Sequence, residues 1–392
     1  MSKKVFVLVL DGFGVGAMPD AKKFGPDDDV SNSFLNVERI KPYNIPMLKK
    51  MGLKNINEES KDREQNPIAC FGKLQEESIG KDTTTGHFEM MGIITKTPNP
   101  TFPNGFDEYV VNQCEKIFGT KILGNCVASG TEIIKKLGDE HLKTGYPIIY
   151  TSADSVLQVA CHIDVIPLEK QYEYCEEIRK IMVDKYAVGR IIARPFTTEN
   201  GEYVRINTAR KDYSILPPKP NTLNTLKKHN ILTVGVGKIK DIFASQDIDV
   251  SFTNHTNVES LEITEYLASK EFEMNGFIFV NLVDTDMVYG HRNDVDGYRQ
   301  AIEKVDISLS KIVDSMSDED VVIITGDHGC DPTTASTDHS REYTPFIIYS
   351  KNMKKPRKLG TLKGFGNVGK AVEKLLIEDK NIDAVVDELC KN

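Results

Sequence analysis

None of the chain's seven cysteines forms a Cys-x-x-Cys pair, and their number is odd. That argues against a disulfide framework and a cysteine-only zinc site, and fits reduced thiols in a cytosol. Excess basic charge is also missing: 49 Lys and Arg face 58 Asp and Glu, a net charge of −9. A nucleic-acid binder carries the opposite footprint. No long apolar run occurs either. The opening run, Val5 to Leu10 in "MSKKVFVLVLDG", meets Asp11 after only six residues and is followed by no small-residue cleavage site. It is too short for a secretory signal or a membrane span, and reads as a buried strand. The expectation is therefore a cytoplasmic protein with neither a nucleic-acid nor a membrane partner.

What is present is ordinary globular composition, 40% hydrophobic and 27% charged, over 392 residues. That length suggests two domains. Apolar runs at 5–12, 231–237, 277–286, 321–329 and 344–350 end in glycine or polar residues. Being apolar on both alternations, they fit strands buried on two faces of an α/β sheet. Between the third and fourth, Tyr298, Ile302, Val305, Leu309, Ile312 and Met316 recur every three to four residues, predicting an amphipathic helix and hence a βαβ unit. The tail "VGKAVEKLLIEDKNIDAVVDEL" predicts another covering helix. The stretch 98–212 is richer in Pro, Tyr and Arg, and reads as a domain inserted between 1–97 and 213–392.

Chemistry gathers at the strand ends. Asp11 ends the first run, Asp286 the third with His291 close behind, and Asp327-His328 the fourth, with His339 following in "TDHSREY". Singly, an Asp after a strand is a common turn or cap residue, and a lone His a common core residue. Jointly they put three carboxylates and three imidazoles at the carboxyl edge of the sheet, where open α/β folds bind ligands. That donor mixture suits two borderline divalent ions, Mn²⁺ or Zn²⁺ rather than Mg²⁺, clamping an in-line phosphoryl displacement. A metal could also acidify a hydroxyl, and "GKDTTTGHFEMMG" (80–92) offers three consecutive threonines. Residue chemistry alone leaves open which of them reacts.

Together "LDGFGVGAMPDA", "GKDTTTGHFEMMG", "GNCVASGTEII", "YTSADSVLQVA", "GRIIARPF", "NLVDTDMVYGHR" and "GDHGCDPTTASTDHSREYTPF" resemble the phosphopentomutases of the alkaline phosphatase superfamily, in order and over nearly the whole chain. The resemblance implies a doubly wound α/β core, residues 1–97 and 213–392, with an inserted smaller α+β cap, residues 98–212. It implies interconversion of (deoxy)ribose 1-phosphate and 5-phosphate, with two Mn²⁺ per chain. Asp11, Asp327 and His328 would hold one ion together with the nucleophile, and Asp286, His291 and His339 the other. The threonine directly after Lys81-Asp82, Thr83, would be the phosphorylated nucleophile. A sugar bisphosphate, glucose 1,6-bisphosphate or ribose 1,5-bisphosphate, would prime it. Asp154 resembles the family's ribose-contacting cap residue, and Arg190, Arg194, Arg205, Arg210 and Lys238 are candidate phosphate or sugar contacts. The implied partners are small pentose phosphates, and the chain is expected to be a monomer. His87 stands outside this set, as support for the site or as a plain helix residue. A phosphatase or sulfatase of the same superfamily, a cofactor-independent phosphoglycerate mutase and a non-catalytic metal binder are the rival readings.

Overall fold

The computed structural model describes residues 3–152, 155–253 and 256–391. The chain divides into two compact units, residues 1–97 with 217–392, and residues 98–216. In chain order, β1 (Lys4–Leu10) and β2 (Cys70–Gln75) belong to the first unit. The second unit carries β3 (Leu123–Val127), β4 (Ile148–Thr151), β5 (Val156–His162), β6 (Arg190–Glu199), β7 (Glu202–Arg205) and β8 (Lys211–Ser214). The first unit resumes with β9 (Leu232–Val236), β10 (Val250–Phe252), β11 (Gly276–Leu282), β12 (Val321–Gly326), β13 (Thr344–Tyr349) and β14 (Lys358–Lys363).

The first unit is built on an eight-stranded sheet in the order β10-β9-β11-β1-β12-β13-β2-β14. Every residue of β1 is buried, because β1 lies between parallel β11 and β12 and the sheet is covered on both faces. The α/β class expected from the uninterrupted apolar runs is the one observed. The run at 344–350 does form a strand, but β13 pairs antiparallel with both β12 and β2. Helix Val295–Ser315 links β11 to β12 and buries Tyr298, Ile302, Val305, Leu309 and Ile312 as its periodicity predicts; Met316 is buried just past its end. The tail differs from expectation, forming two helices, Asn367–Leu376 and Ile382–Leu389. Asp379 between them takes a left-handed backbone conformation, and Asn381 caps the second helix by accepting from the Ala384 N–H.

Register sets up the site. Leu10 stands opposite Leu282 on one side and Gly326 on the other, so the chains leave β1, β11 and β12 side by side at one sheet edge. At the opposite end, Lys4 Nζ donates to the carbonyls of Leu267, Ala268, Ser269 and Phe272 at 3.0–3.2 Å. A buried ammonium thus closes the end of helix Asn257–Ala268, whose last carbonyls have no helical partner.

The second unit is α+β, with sheet order β3-β4-β5-β6-β7 and β8 paired to β6. Alternation along β5 sends Leu157, Val159 and Cys161 into one apolar cluster and Ala160 into another with Tyr150 and Phe196. No helix among the described residues is long and apolar enough to cross a membrane. One outcome follows from the buried ammonium. Lys4→Met should lower unfolding stability by about 1–3 kcal/mol, since it strands several carbonyls at once. Urea denaturation measures this, and an unchanged midpoint would contradict the role given to Lys4.

Candidate metal centre and nucleophile

Three strand ends aim carboxylates at one point. After β1 the chain turns sharply at Gly12, whose φ is +71°. A Cβ there would lie 2.9 Å from Cys330 Cβ and 3.1 Å from Asp286 Cβ, so only glycine fits. Tyr298 Oη donates to Gly12 O (2.7 Å) and Thr285 Oγ1 to Asp11 O (2.6 Å), fixing the turn from two sides. After β11 the backbone enters a π-helical turn, Thr285–Tyr289, and then a 3₁₀ turn, Gly290–Arg292. This wide-then-tight winding places Asp286 and His291 on one side, a use to which π turns are often put. After β12, Asp327 Oδ1 accepts from the N–H groups of Gly12 and His328, both at 3.1 Å.

All six residues expected as metal ligands come together. His328 Nε2 lies 3.5 Å from Asp11 Oδ1 and 3.4 Å from Asp327 Oδ2. His291 Nε2 is 3.4 Å from Asp286 Oδ2, and His339 Nε2 is 3.3 Å from Asp286 Oδ1. His291 and His339 face each other, Nε2 to Nε2, at 3.2 Å, and the rings of His328 and His339 stack at 3.9 Å. Among the described residues, three groups have ligand atoms close enough to share an ion: Asp11, Asp327 and His328; Asp286, His328 and His339; and Asp286, His291 and Cys330. His328 stands between the first two.

The donor set fits divalent cations. Asp11 Oδ1, Asp286 Oδ1 and Asp327 Oδ2 are buried with no hydrogen-bond partner, a costly arrangement for anions without a counter-charge. Burial, with Asp327 and Asp286 close by, raises the pKa of Asp11. Burial also opposes ionisation of Asp327, yet His328 and His87 hold it down at about 2. Against the same burial, the carboxylates around His328 raise its pKa well above the usual range. A divalent ion would exchange for imidazole protons in supplying that counter-charge. Two rings are already oriented for that exchange, since His291 Nδ1 donates to Thr337 O (2.7 Å) and His328 Nδ1 to Gly329 O (3.0 Å), leaving each Nε2 facing the carboxylates.

Thr83 stands at the start of helix Thr83–Met90, with Oγ1 3.2 Å from His328 Nε2. Asp82 caps this helix, accepting from Thr85 N (3.1 Å) and Thr85 Oγ1 (2.6 Å). The middle threonine is half-buried and the third is buried. Gly86 packs against the Asp327 backbone so closely that a Cβ would collide with the Asp327 carbonyl oxygen.

One contributor was left undecided by the sequence reading, and others lay beyond it. His87, fully buried, has Nδ1 2.8 Å from Thr83 O and 3.2 Å from Asp327 Oδ2, linking the Thr83 backbone to the carboxylate. Its i+4 spacing from Thr83 was the available signal. Arg341, also buried, bonds Glu76 and donates to Gly80 O (2.6 Å), while its N–H donates to Asp28 (2.9 Å). Lys81 Nζ spans Asp28 (3.4 Å) and Asp338 (3.2 Å). The approach to Thr83 is thereby tied to the loop carrying His339.

The expected substrate contacts divide. Arg190, Arg194, Arg205 and Arg210 all lie in the second unit. There Asp212 takes two bonds from Arg210, both at 2.6 Å, and lies 3.5 Å from Arg190. Arg194 Nε donates to Gln158 (2.9 Å), and burial followed by the neighbouring Arg210 lowers its pKa. Burial raises the pKa of the Tyr150 hydroxyl, against the charges of Arg194, Arg205 and Arg210. Lys238 lies in the first unit, just after β9, and its charge opposes the burial that raises the pKa of Asp11 and Asp284. Asp154 lies outside the described residues.

With the geometry in view, the likenesses are consistent. The family model described as "Metalloenzyme superfamily" matches residues 3–380. A phosphopentomutase of Dictyoglomus turgidum is 47% identical over 372 residues, 94% of this chain and 93% of its own. One from Caldanaerobacter subterraneus is 47% identical over 376 residues, covering 96% and 94%, and one from Dictyoglomus thermophilum is 48% identical over 372, covering 94% of both. Identity at this level across nearly all of both sequences settles the family. The chain belongs to the phosphopentomutases, isomerases of the metalloenzyme superfamily.

Proposed function

We propose that this protein interconverts ribose 1-phosphate and ribose 5-phosphate, and the deoxyribose pair, through a phosphorylated Thr83 and a pentose bisphosphate. The observation that carries the reading is the Thr83 hydroxyl, 3.2 Å from His328 Nε2, beside three buried carboxylate oxygens that lack hydrogen-bond partners. Two divalent ions, Mn²⁺ in the family pattern, would be held by Asp11, Asp327, His328 and Thr83, and by Asp286, His291 and His339. When bound they would neutralise phosphoryl charge and favour the alkoxide form of the threonine.

The chain's own residues do the positioning. Asp82 caps the helix and His87 holds the Thr83 carbonyl, so Oγ1 is presented from a fixed backbone. Phosphorylated Thr83 gives its phosphoryl group to the free hydroxyl of a pentose monophosphate: the P–Oγ1 bond breaks and a P–O bond to the sugar forms. The bisphosphate then returns its other phosphoryl group to Thr83. A sugar bisphosphate primes the unphosphorylated chain by the same return step. Asp154, Arg190, Arg194, Arg205, Arg210 and Lys238 are assigned to the sugar and its phosphates, for which guanidinium forks suit bidentate contact. The setting is a cytoplasmic monomer acting on small pentose phosphates, and residues 98–212 form the substrate-binding cap.

Three outcomes are expected. Mn²⁺-loaded protein given ribose 1-phosphate and catalytic glucose 1,6-bisphosphate should accumulate ribose 5-phosphate with little free phosphate; rapid phosphate release would mark a phosphatase instead. Thr83→Ala should abolish phosphoenzyme by intact mass, and phosphate persisting on Thr84 or Thr85 would overturn the assignment. Chelating divalent ions should lower the thermal midpoint, because a ligand at a hundredfold excess over its Kd stabilises the folded state by about 2.7 kcal/mol. A midpoint indifferent to chelator and to added Mn²⁺ would count against the metal reading.

A further inference from the structure

We propose that Cys330 is a metal ligand, its thiolate completing with Asp286 and His291 a site that prefers a softer divalent ion such as Zn²⁺ over Mn²⁺. The inference rests on the metal reading above and adds a sulfur donor outside that ligand set. One ligand atom from each of Asp286, His291 and Cys330 lies within 4.8 Å of the other two. The site is built rather than incidental. Cys330 is 1% exposed and Asp286 5%, and Asp286 Oδ1 is buried without a hydrogen-bond partner.

Two glycines make room for the sulfur. A Cβ at Gly290, next to His291, would stand 2.5 Å from Cys330 Sγ, and one at Gly12 would stand 2.9 Å from Cys330 Cβ. The Cys330 N–H donates to Ser33 Oγ (3.0 Å), which itself donates to the buried Glu342 (2.6 Å), so the backbone bearing the thiol is anchored. The hydrogen bond from His291 Nδ1 to Thr337 O turns Nε2 toward the same centre.

Carboxylate, imidazole and thiolate together make a softer donor set than carboxylate and imidazole alone. Thiolate selects Zn²⁺ over Mn²⁺ by ligand type as well as by the general affinity order. On binding, the S–H bond breaks, a metal–sulfur bond forms, and the proton passes to solvent. The competing arrangement keeps the thiol protonated, as a donor to Asp286.

Cobalt(II) as a spectroscopic substitute separates the two. Protein loaded with Co²⁺ should show a near-ultraviolet thiolate-to-cobalt charge-transfer band beside the visible d–d bands. The band should vanish in Cys330→Ser and in Cys330→Ala while the d–d bands remain. Zn²⁺ affinity should fall on the order of 10- to 100-fold more than Mn²⁺ affinity in both variants, by competition with a chromophoric chelator. Zn²⁺ loading should also release an additional proton from the unmodified protein relative to Cys330→Ser. Visible d–d bands with no charge-transfer band would overturn the role of Cys330 and leave the metal centre standing. Absence of any cobalt spectrum would overturn both.

Discussion

Mutual repulsion among Asp11, Asp286 and Asp327 is the constraint around which the first unit is organised. Three carboxylates with buried, unpartnered oxygens cannot stay ionised together without compensating charge. The fold meets this with three imidazoles at 3.3–3.5 Å, each able to carry a proton or to give its lone pair to a cation. The same repulsion is what makes the edge a strong cation trap. Rigid neighbours sharpen it: Gly12 admits no side chain, and the π turn and 3₁₀ turn after β11 hold Asp286 and His291 in one orientation.

Placement of those charges is a consequence of parallel pairing. With β1 hydrogen-bonded to β11 and β12 in matched register, Asp11 and Asp327, each one step beyond its strand, emerge beside the turn after β11 that carries Asp286, although Asp11 lies hundreds of positions from both in the chain. The apolar content of β1 then serves two ends. It buries the strand from both faces, and it fixes the depth at which Asp11 leaves the sheet. A one-residue slip would turn every side chain of the strand over and carry the carboxylate away from its partners.

Much of this was legible in the sequence, for definite reasons. Doubly apolar runs announce buried parallel strands, and the 3.6-residue period between two of them announced the helix over Val295–Ser315. An Asp or His at each strand end could be read as one cluster because an open sheet has one ligand-binding edge. What escaped was anything set by long-range side-chain contact. The antiparallel course of β13 leaves no trace in its composition, because a buried strand is apolar in either direction. Arg341 looked like any charged residue in a loop, yet it is buried and tied to Glu76 and Gly80. The break in the C-terminal tail was visible only as "EDKN", a polar stretch that a solvated helix face could equally have carried.

Gly86 has a consequence for the reaction proposed above. Helix Thr83–Met90 meets the backbone of Asp327 with no side chain between them, so Thr83 is locked to the strand end that supplies Asp327. On the mechanism proposed above, a threonine fastened in this way would not travel between the two ends of a sugar bisphosphate. Reversal of direction would then fall to the small molecule, turning or departing and returning while the protein side of the reaction stays still.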